Sequence, residues 1–239
     1  MSGAASCYSS ARASGGQVWH AARHAQRLAR DARLLGLGDV DEAAVLMLLR
    51  ELALPTRDGP DLKIRIEAQA DARLGIRLDA TTTPIGKEAP AWRCATASVV
   101  HPGASPTSSA KRSDRSLYEA ALAAAPEAGV DEVFLFDVAN RLVEGARSNL
   151  IVVCGDGALA TAPLSCGPQA GVARGLLIER VPLLREAAIS RGDLAAAREI
   201  LATNAVRGVL PVIACDGRPV GDGKPGPWAA RLAAAFQDD

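Results

Sequence analysis

Lysine is scarce in this sequence. Among 239 residues only Lys63, Lys87, Lys111 and Lys224 carry a side-chain amine, and arginine supplies most of the positive charge. Any chemistry that needs such an amine therefore has four candidates. Three histidines, two of them within one predicted helix, are too few for a histidine-rich metal site. The five cysteines (Cys7, Cys94, Cys154, Cys166, Cys215) are scattered and contain no CxxC pair, which fits reduced thiols better than a disulfide framework or a zinc site. No apolar run is long enough to span a bilayer. The first ten residues, MSGAASCYSS, lack the basic start and apolar stretch of a signal peptide, so a cytoplasmic location is expected. Acidic and basic residues balance at 27 each, so no global field recruits nucleic acid or an anionic membrane. Neither GxGxxG nor GxxxxGK is present.

What remains is a soluble α/β composition, 49% hydrophobic and 23% charged. Val18, Ala22, Ala25, Leu28, Ala32 and Leu35 recur at helical steps and predict a helix over 18–35, stopped by Gly36. A second helix is expected from Asp41 to near Pro55. Lys63–Ala68 alternates at period two and reads as a half-buried strand, with 75–78 as its partner. The Thr-, Pro- and Gly-rich stretch 81–90 reads as a linker. Beyond it, strands are expected at 92–100, 132–137, 200–203, 209–214 and 218–220, and helices at 114–125, 171–184, 193–199 and from Pro227. Residues 149–161 predict a hairpin about Gly155-Asp156-Gly157.

The most informative feature is an order of short motifs. DEVFLFD is followed by VEGARSNLIVV, a glycine turn, TAPL, AGVAR and finally TNAVRGVLPV. Each is weak alone; in this order they resemble the class IV aminotransferase family. That family includes branched-chain and D-amino acid aminotransferases and 4-amino-4-deoxychorismate lyase. The resemblance is close from Lys111 to Trp228 and looser over Cys7 to Leu37. It implies a mixed α/β fold of two domains with pyridoxal 5'-phosphate between them. A small α+β domain is expected over 1–86 and a larger barrel-like domain over 87–239, with a homodimer as the assembly.

Carried over residue by residue, the resemblance makes Lys111 the amine that holds the cofactor as a Schiff base. Such an amine must be neutral near pH 7, which burial and neighbouring cations promote; Arg112 and Arg115 are candidates for those cations. Glu144 would pair with the pyridine nitrogen and keep the ring an electron acceptor. Asn149 would order the same turn. The phosphate would be met by Arg27, in His24-Ala25-Gln26-Arg27-Leu28, and by main-chain N–H groups of Val172 and Ala173 at a helix start. Asn204 and Ala205 would supply its third contact. Ala173 stands where the family usually has threonine.

Two stretches resemble the lyase branch. Cys7-Tyr8-Ser9-Ser10-Ala11-Arg12 is similar to CFTTAR, and Asn204-Ala205-Val206 is similar to Asn-Ala-Leu. By that resemblance the small-molecule substrate is 4-amino-4-deoxychorismate, Ser10 relays a proton or bonds the leaving group, and Arg12 holds a substrate carboxylate. A transaminase uses the same Lys111 and Glu144 with a second substrate. A third reading is a degenerate, non-catalytic member, motivated by the six residues before Cys7, where the family usually has about two dozen, and by Ala173. Retention of Lys111 and Glu144 argues against it.

Overall fold

The computed structural model describes residues 5–73, 75–87, 89–125 and 129–237. Met1–Ala4 of the leader reading and Glu88 of the linker reading lie outside them. The chain divides into two compact units, residues 1–87 with 109–114, and residues 88–108 with 115–239. A single boundary near residue 86 differs from this division, because Ser109–Asp114 returns to the first unit and takes Lys111 with it.

The first unit is an antiparallel sheet backed by two helices. Its elements are β1 (Ser6–Ser14), β2 (Gln17–Val18), α1 (Ala21–Leu34), α2 (Glu42–Ala53), β3 (Leu62–Asp71) and β4 (Gly75–Pro84). The strand order is β2-β1-β3-β4. Period-two alternation sends Cys7, Ala11 and Ala13 of β1 and Ile64, Ile66 and Ala68 of β3 to the core, where Ala25, Leu28, Ala29 and Ala32 of α1 meet them. Small residues on both surfaces let the helix lie close to the sheet. Gly36, at φ 68°, ends α1 in the left-handed region that glycine adopts without strain. Asp41 caps α2, its carboxylate accepting the Ala43 N–H at 2.9 Å.

The linker expected over 81–90 is strand as far as Pro84. Thr81, Thr82 and Thr83 pair with Arg65, Ile64 and Lys63, and Pro84 with Leu62. β-Branched threonine suits a strand, and β4 lies at the sheet edge, where a proline is tolerated. Residues 109–114 run along β1: the Tyr8 N–H donates to the Lys111 carbonyl and the Ser113 N–H to the Ser6 carbonyl, both at 3.0 Å.

The second unit is a mixed sheet with helices on it. Its strands are β5 (Trp92–Thr96), β6 (Glu132–Phe136), β7 (Leu142–Gly145), β8 (Asn149–Val153), β9 (Leu159–Thr161), β10 (Leu184–Glu186), β11 (Glu199–Asn204), β12 (Gly208–Cys215) and β13 (Arg218–Pro219). Its helices are α3 (Ser116–Ala123), α4 (Val172–Arg180), α5 (Arg191–Ala195) and α6 (Pro227–Gln237). The order is β10-β9-β8-β11-β12-β5-β6-β7, with β13 on β12. Pairs β12/β5, β5/β6 and β9/β10 are parallel and the others antiparallel. Phe134, Phe136, Leu142, Leu150, Val152, Ile200 and Val212 fill one face, and Val133 and Leu135 pack toward Ala121 of α3 on the other.

Several expected boundaries move. The strand at 92 ends at Thr96, and the helix expected over 171–184 ends at Arg180, before Pro182, whose missing N–H cannot continue it. Leu184–Glu186 then pairs with β9 as a strand. The helix expected over 193–199 is shorter and starts earlier, at Arg191, behind a capping box of Ser190 and Asp193. No helix among the described residues is long and apolar enough to cross a membrane.

Candidate active site

The lysine candidate belongs to the first unit. Because residues 109–114 run beside β1, the Lys111 amine stands over the Tyr8 ring, 4.9 Å from its centre. The Arg65 guanidinium lies over the same ring at 3.5 Å. Alternation along β1 puts Tyr8, Ser10 and Arg12 on one face, with Ser10 opposite Arg65 in the register. Two cations therefore share one aromatic platform. Arg65 is further held by Glu67 at 2.8 Å, and Glu67 also accepts from the hydroxyls of Ser113 at 2.6 Å and Ser6 at 2.8 Å. Burial works against the Glu67 carboxylate, but the Ser113, Arg65 and Ser6 donors hold it below its ordinary value.

Arg12 is committed elsewhere. Its Nε donates to Asp61 at 2.9 Å and its guanidinium stacks on Trp19 at 4.5 Å. Arg112 is exposed, and Arg115 donates to the Ala146 carbonyl at 2.7 Å in the second unit. In the first unit Arg65 shares the Tyr8 ring with Lys111, and Arg27 shares Asp31 with the Lys111 main-chain N–H.

Arg27 lies on the buried face of α1 and its Nε donates to Asp31, one turn on, at 3.3 Å. Burial pushes the guanidinium below its ordinary value, and the Asp31 charge opposes that. Asp31 also accepts from Arg30 at 2.7 Å and from the main-chain N–H of Lys111 at 3.0 Å. One carboxylate thus joins the two residues expected to hold opposite ends of a cofactor. Arg27 Nη2 has no hydrogen-bond partner among the described residues.

The glutamate candidate belongs to the second unit. β7 places Glu144 opposite Leu135 of β6, on the α3 side of the sheet, where the carboxylate is buried. It accepts from the Tyr118 hydroxyl at 2.6 Å, the Gln169 N–H at 2.9 Å and Asn149 Nδ2 at 3.3 Å. Burial and the nearby Glu144 charge push the Tyr118 phenol well above its ordinary value, so it stays a donor. Asn149 also donates to the Gln169 carbonyl at 3.0 Å. A Cβ on Gly171 would strike the Asn149 side-chain oxygen, so the chain reaches the start of α4 only as glycine. α4 then presents the main-chain N–H groups of Val172 and Ala173 in its first turn, where no intrahelical acceptor exists. The Asn204 side chain orders its own turn, accepting from Val206 at 3.0 Å and Arg207 at 2.9 Å.

Sequence reasoning missed Arg65, Tyr8 as a platform, Asp31, Tyr118, Gln169 and Glu132. Glu132 is buried and holds the 145–148 turn, accepting from the Arg147 N–H at 2.9 Å and the Ser148 hydroxyl at 2.8 Å. Its only sequence signal is an acid opening the apolar run EVFLF. Asp31 carries a clearer one, an acid within the apolar repeat of α1.

Residues 6–215 match the family model for class IV amino-transferases. The chain belongs to that family. Pyridoxal phosphate is its cofactor. Each unit has groups that suit it: in the first, a buried guanidinium nitrogen without a partner among the described residues; in the second, first-turn helix N–H groups behind a glycine and a buried carboxylate held by three donors.

Two solved structures and one curated relative frame the comparison. The branched-chain-amino-acid aminotransferase of Escherichia coli K12 is 34% identical over 112 residues, 45% of this chain. That match spans only 36% of the enzyme's length. The 4-amino-4-deoxychorismate lyase of Pseudomonas aeruginosa is 25% identical with a TM-score of 0.83, over 98% of this chain and 90% of the lyase. A hypothetical aminotransferase from Mycobacterium tuberculosis in its PLP-bound form is 18% identical with a TM-score of 0.83, over 97% of this chain and 87% of its own, a likeness of fold.

Proposed function

We propose that this class IV enzyme cleaves 4-amino-4-deoxychorismate to 4-aminobenzoate and pyruvate, with Lys111 as the amine that holds pyridoxal phosphate. The observation that carries the reading is the shared Tyr8 platform, with an amine at 4.9 Å and a guanidinium at 3.5 Å. That pair suits a substrate that carries both an amine, to meet Lys111, and a carboxylate, to meet the planar fork of Arg65. Arg12 pairs with Asp61 and Arg65 with Glu67, and the place of Arg65 over the ring that Lys111 shares is what favours it for the carboxylate role.

The bound cofactor supplies an electron sink for the carbanion left when a proton leaves the carbon bearing the nitrogen. Lys111 takes that proton. By the family resemblance, Arg27 and the Val172 and Ala173 N–H groups would meet the phosphate, and Glu144 would keep the pyridine nitrogen protonated. As the ring–oxygen bond breaks, its electron pair leaves with the enolpyruvyl group, which gains a proton and becomes pyruvate. The remaining ring becomes aromatic, which drives the step forward. Ser10, beside Arg65 in the register, bonds the departing oxygen.

The lyase reading draws on Cys7–Arg12, on Asn204-Ala205-Val206, and on the likeness to the Pseudomonas lyase over nearly the whole chain. A transaminase is the second reading, favoured by the Escherichia coli match. The enzyme is expected to act as a homodimer. Incubation of the holoenzyme with 4-amino-4-deoxychorismate and no keto acid tests the choice. Release of pyruvate and 4-aminobenzoate supports the lyase; loss and recovery of the cofactor band with an amino acid and then a keto acid, without pyruvate release, supports the transaminase.

A further inference from the structure

Two buried polar atoms of α1 lack a hydrogen-bond partner among the described residues: His24 Nε2 and Arg27 Nη2. Residues three apart on a helix share a face, so both belong to the same stretch of α1. Buried donors without partners are penalised and rare; two on neighbouring positions point to a ligand that the protein itself does not supply. The other ring nitrogen of His24 is engaged, with Nδ1 2.8 Å from the Ser9 hydroxyl. Ser9 faces the helices from β1, on the opposite side of the strand from Tyr8 and Ser10.

We infer that His24 is a phosphate ligand beside Arg27: the Ser9 hydroxyl donates to Nδ1, which leaves the proton on Nε2 to donate to a phosphate oxygen. The inference rests on the pyridoxal phosphate reading and adds to it a residue of this chain. Burial, with the charges of Arg27, His20 and Lys111, keeps the ring neutral, pushing its pKa down to about 3. A neutral ring has one N–H and one acceptor nitrogen, so the partner of Nδ1 decides what Nε2 presents. The pair then offers the phosphate a guanidinium fork and a neutral N–H. The competing explanation is a buried water that satisfies Nε2 and takes no part in binding.

The test compares affinities of the apo protein for pyridoxal phosphate and for pyridoxal, which lacks the phosphate, in three variants. His24→Asn keeps a polar atom near Nδ1 for Ser9 and has nothing at Nε2. His24→Gln carries its amide to the Nε2 position. The preference for pyridoxal phosphate over pyridoxal is expected to fall about tenfold or more in His24→Asn, as for loss of a hydrogen bond to a charged group. His24→Gln retains most of it. If His24→Asn does not fold, Ser9→Ala decides, since release of Nδ1 lowers the same preference. A folded His24→Asn (or, failing that, Ser9→Ala) with unchanged preference, or with both ligands weakened equally, overturns the inference in favour of the buried water. Wild-type protein that does not prefer pyridoxal phosphate to pyridoxal overturns the cofactor reading itself, a separate result.

Discussion

The carboxylate of Asp31, which has no solvent exposure, accepts the main-chain N–H of Lys111 at 3.0 Å. The same side chain holds Arg27 and Arg30. Asp31→Ala leaves the buried Arg27 charge without that carboxylate and takes the acceptor from the Lys111 N–H. Removing one member of a buried ion pair typically destabilises by about 3–5 kcal/mol. Urea denaturation is expected to show a loss near that size, with faster hydrogen exchange at the Lys111 amide.

Tyr118 donates to Glu144 at 2.6 Å and accepts from Gln169 Nε2 at 2.9 Å. Tyr118→Phe removes one donor from a buried carboxylate and one acceptor from Gln169 Nε2. The expected loss of stability is about 1.5–3 kcal/mol, the range for hydrogen bonds to charged groups, read from the urea midpoint.

The sequence alone names several candidates for the site. The motif order marks Lys111, Glu144 and Arg27, because such motifs are read along the chain. It does not reach Asp31 or Arg65, whose roles arise where a helix and two strands meet residues 109–114. β1 is hidden for a different reason. Its small residues, Ser6–Ser14, give little hydrophobic alternation although they alternate in burial. The threonines of β4 read as a linker by composition, while their β-branched side chains belong to a strand paired with β3 along its whole length.

Gly171 sits where any Cβ would meet Asn149. Gly171→Ala forces that turn or Asn149 to shift. Overpacking of this kind costs about 1–3 kcal/mol. The thermal midpoint of the apo protein is expected to fall, and cofactor affinity with it, because the α4 N–H groups move.

His24 also makes an acid-stability prediction. Its pKa is pushed down to about 3 in the folded protein by burial first, then by Arg27, His20 and Lys111, against about 6.5 when unfolded. Between those values the unfolded chain binds the extra proton, so stability rises with pH across that window and is lost as pH falls through it. The slope is about 1.4 kcal/mol per pH unit at most for one group. His24→Gln, which does not titrate, is expected to flatten the urea midpoint between pH 6 and 4 by about one proton's worth.

The central claim is that Lys111 is the amine that binds the cofactor. Borohydride reduction of the protein with pyridoxal phosphate, followed by peptide mapping, tests it directly, because only Lys63, Lys87, Lys111 and Lys224 compete. The account predicts a stable adduct confined to the peptide containing Lys111. Label spread over the other three lysines, or no label at all, would contradict it.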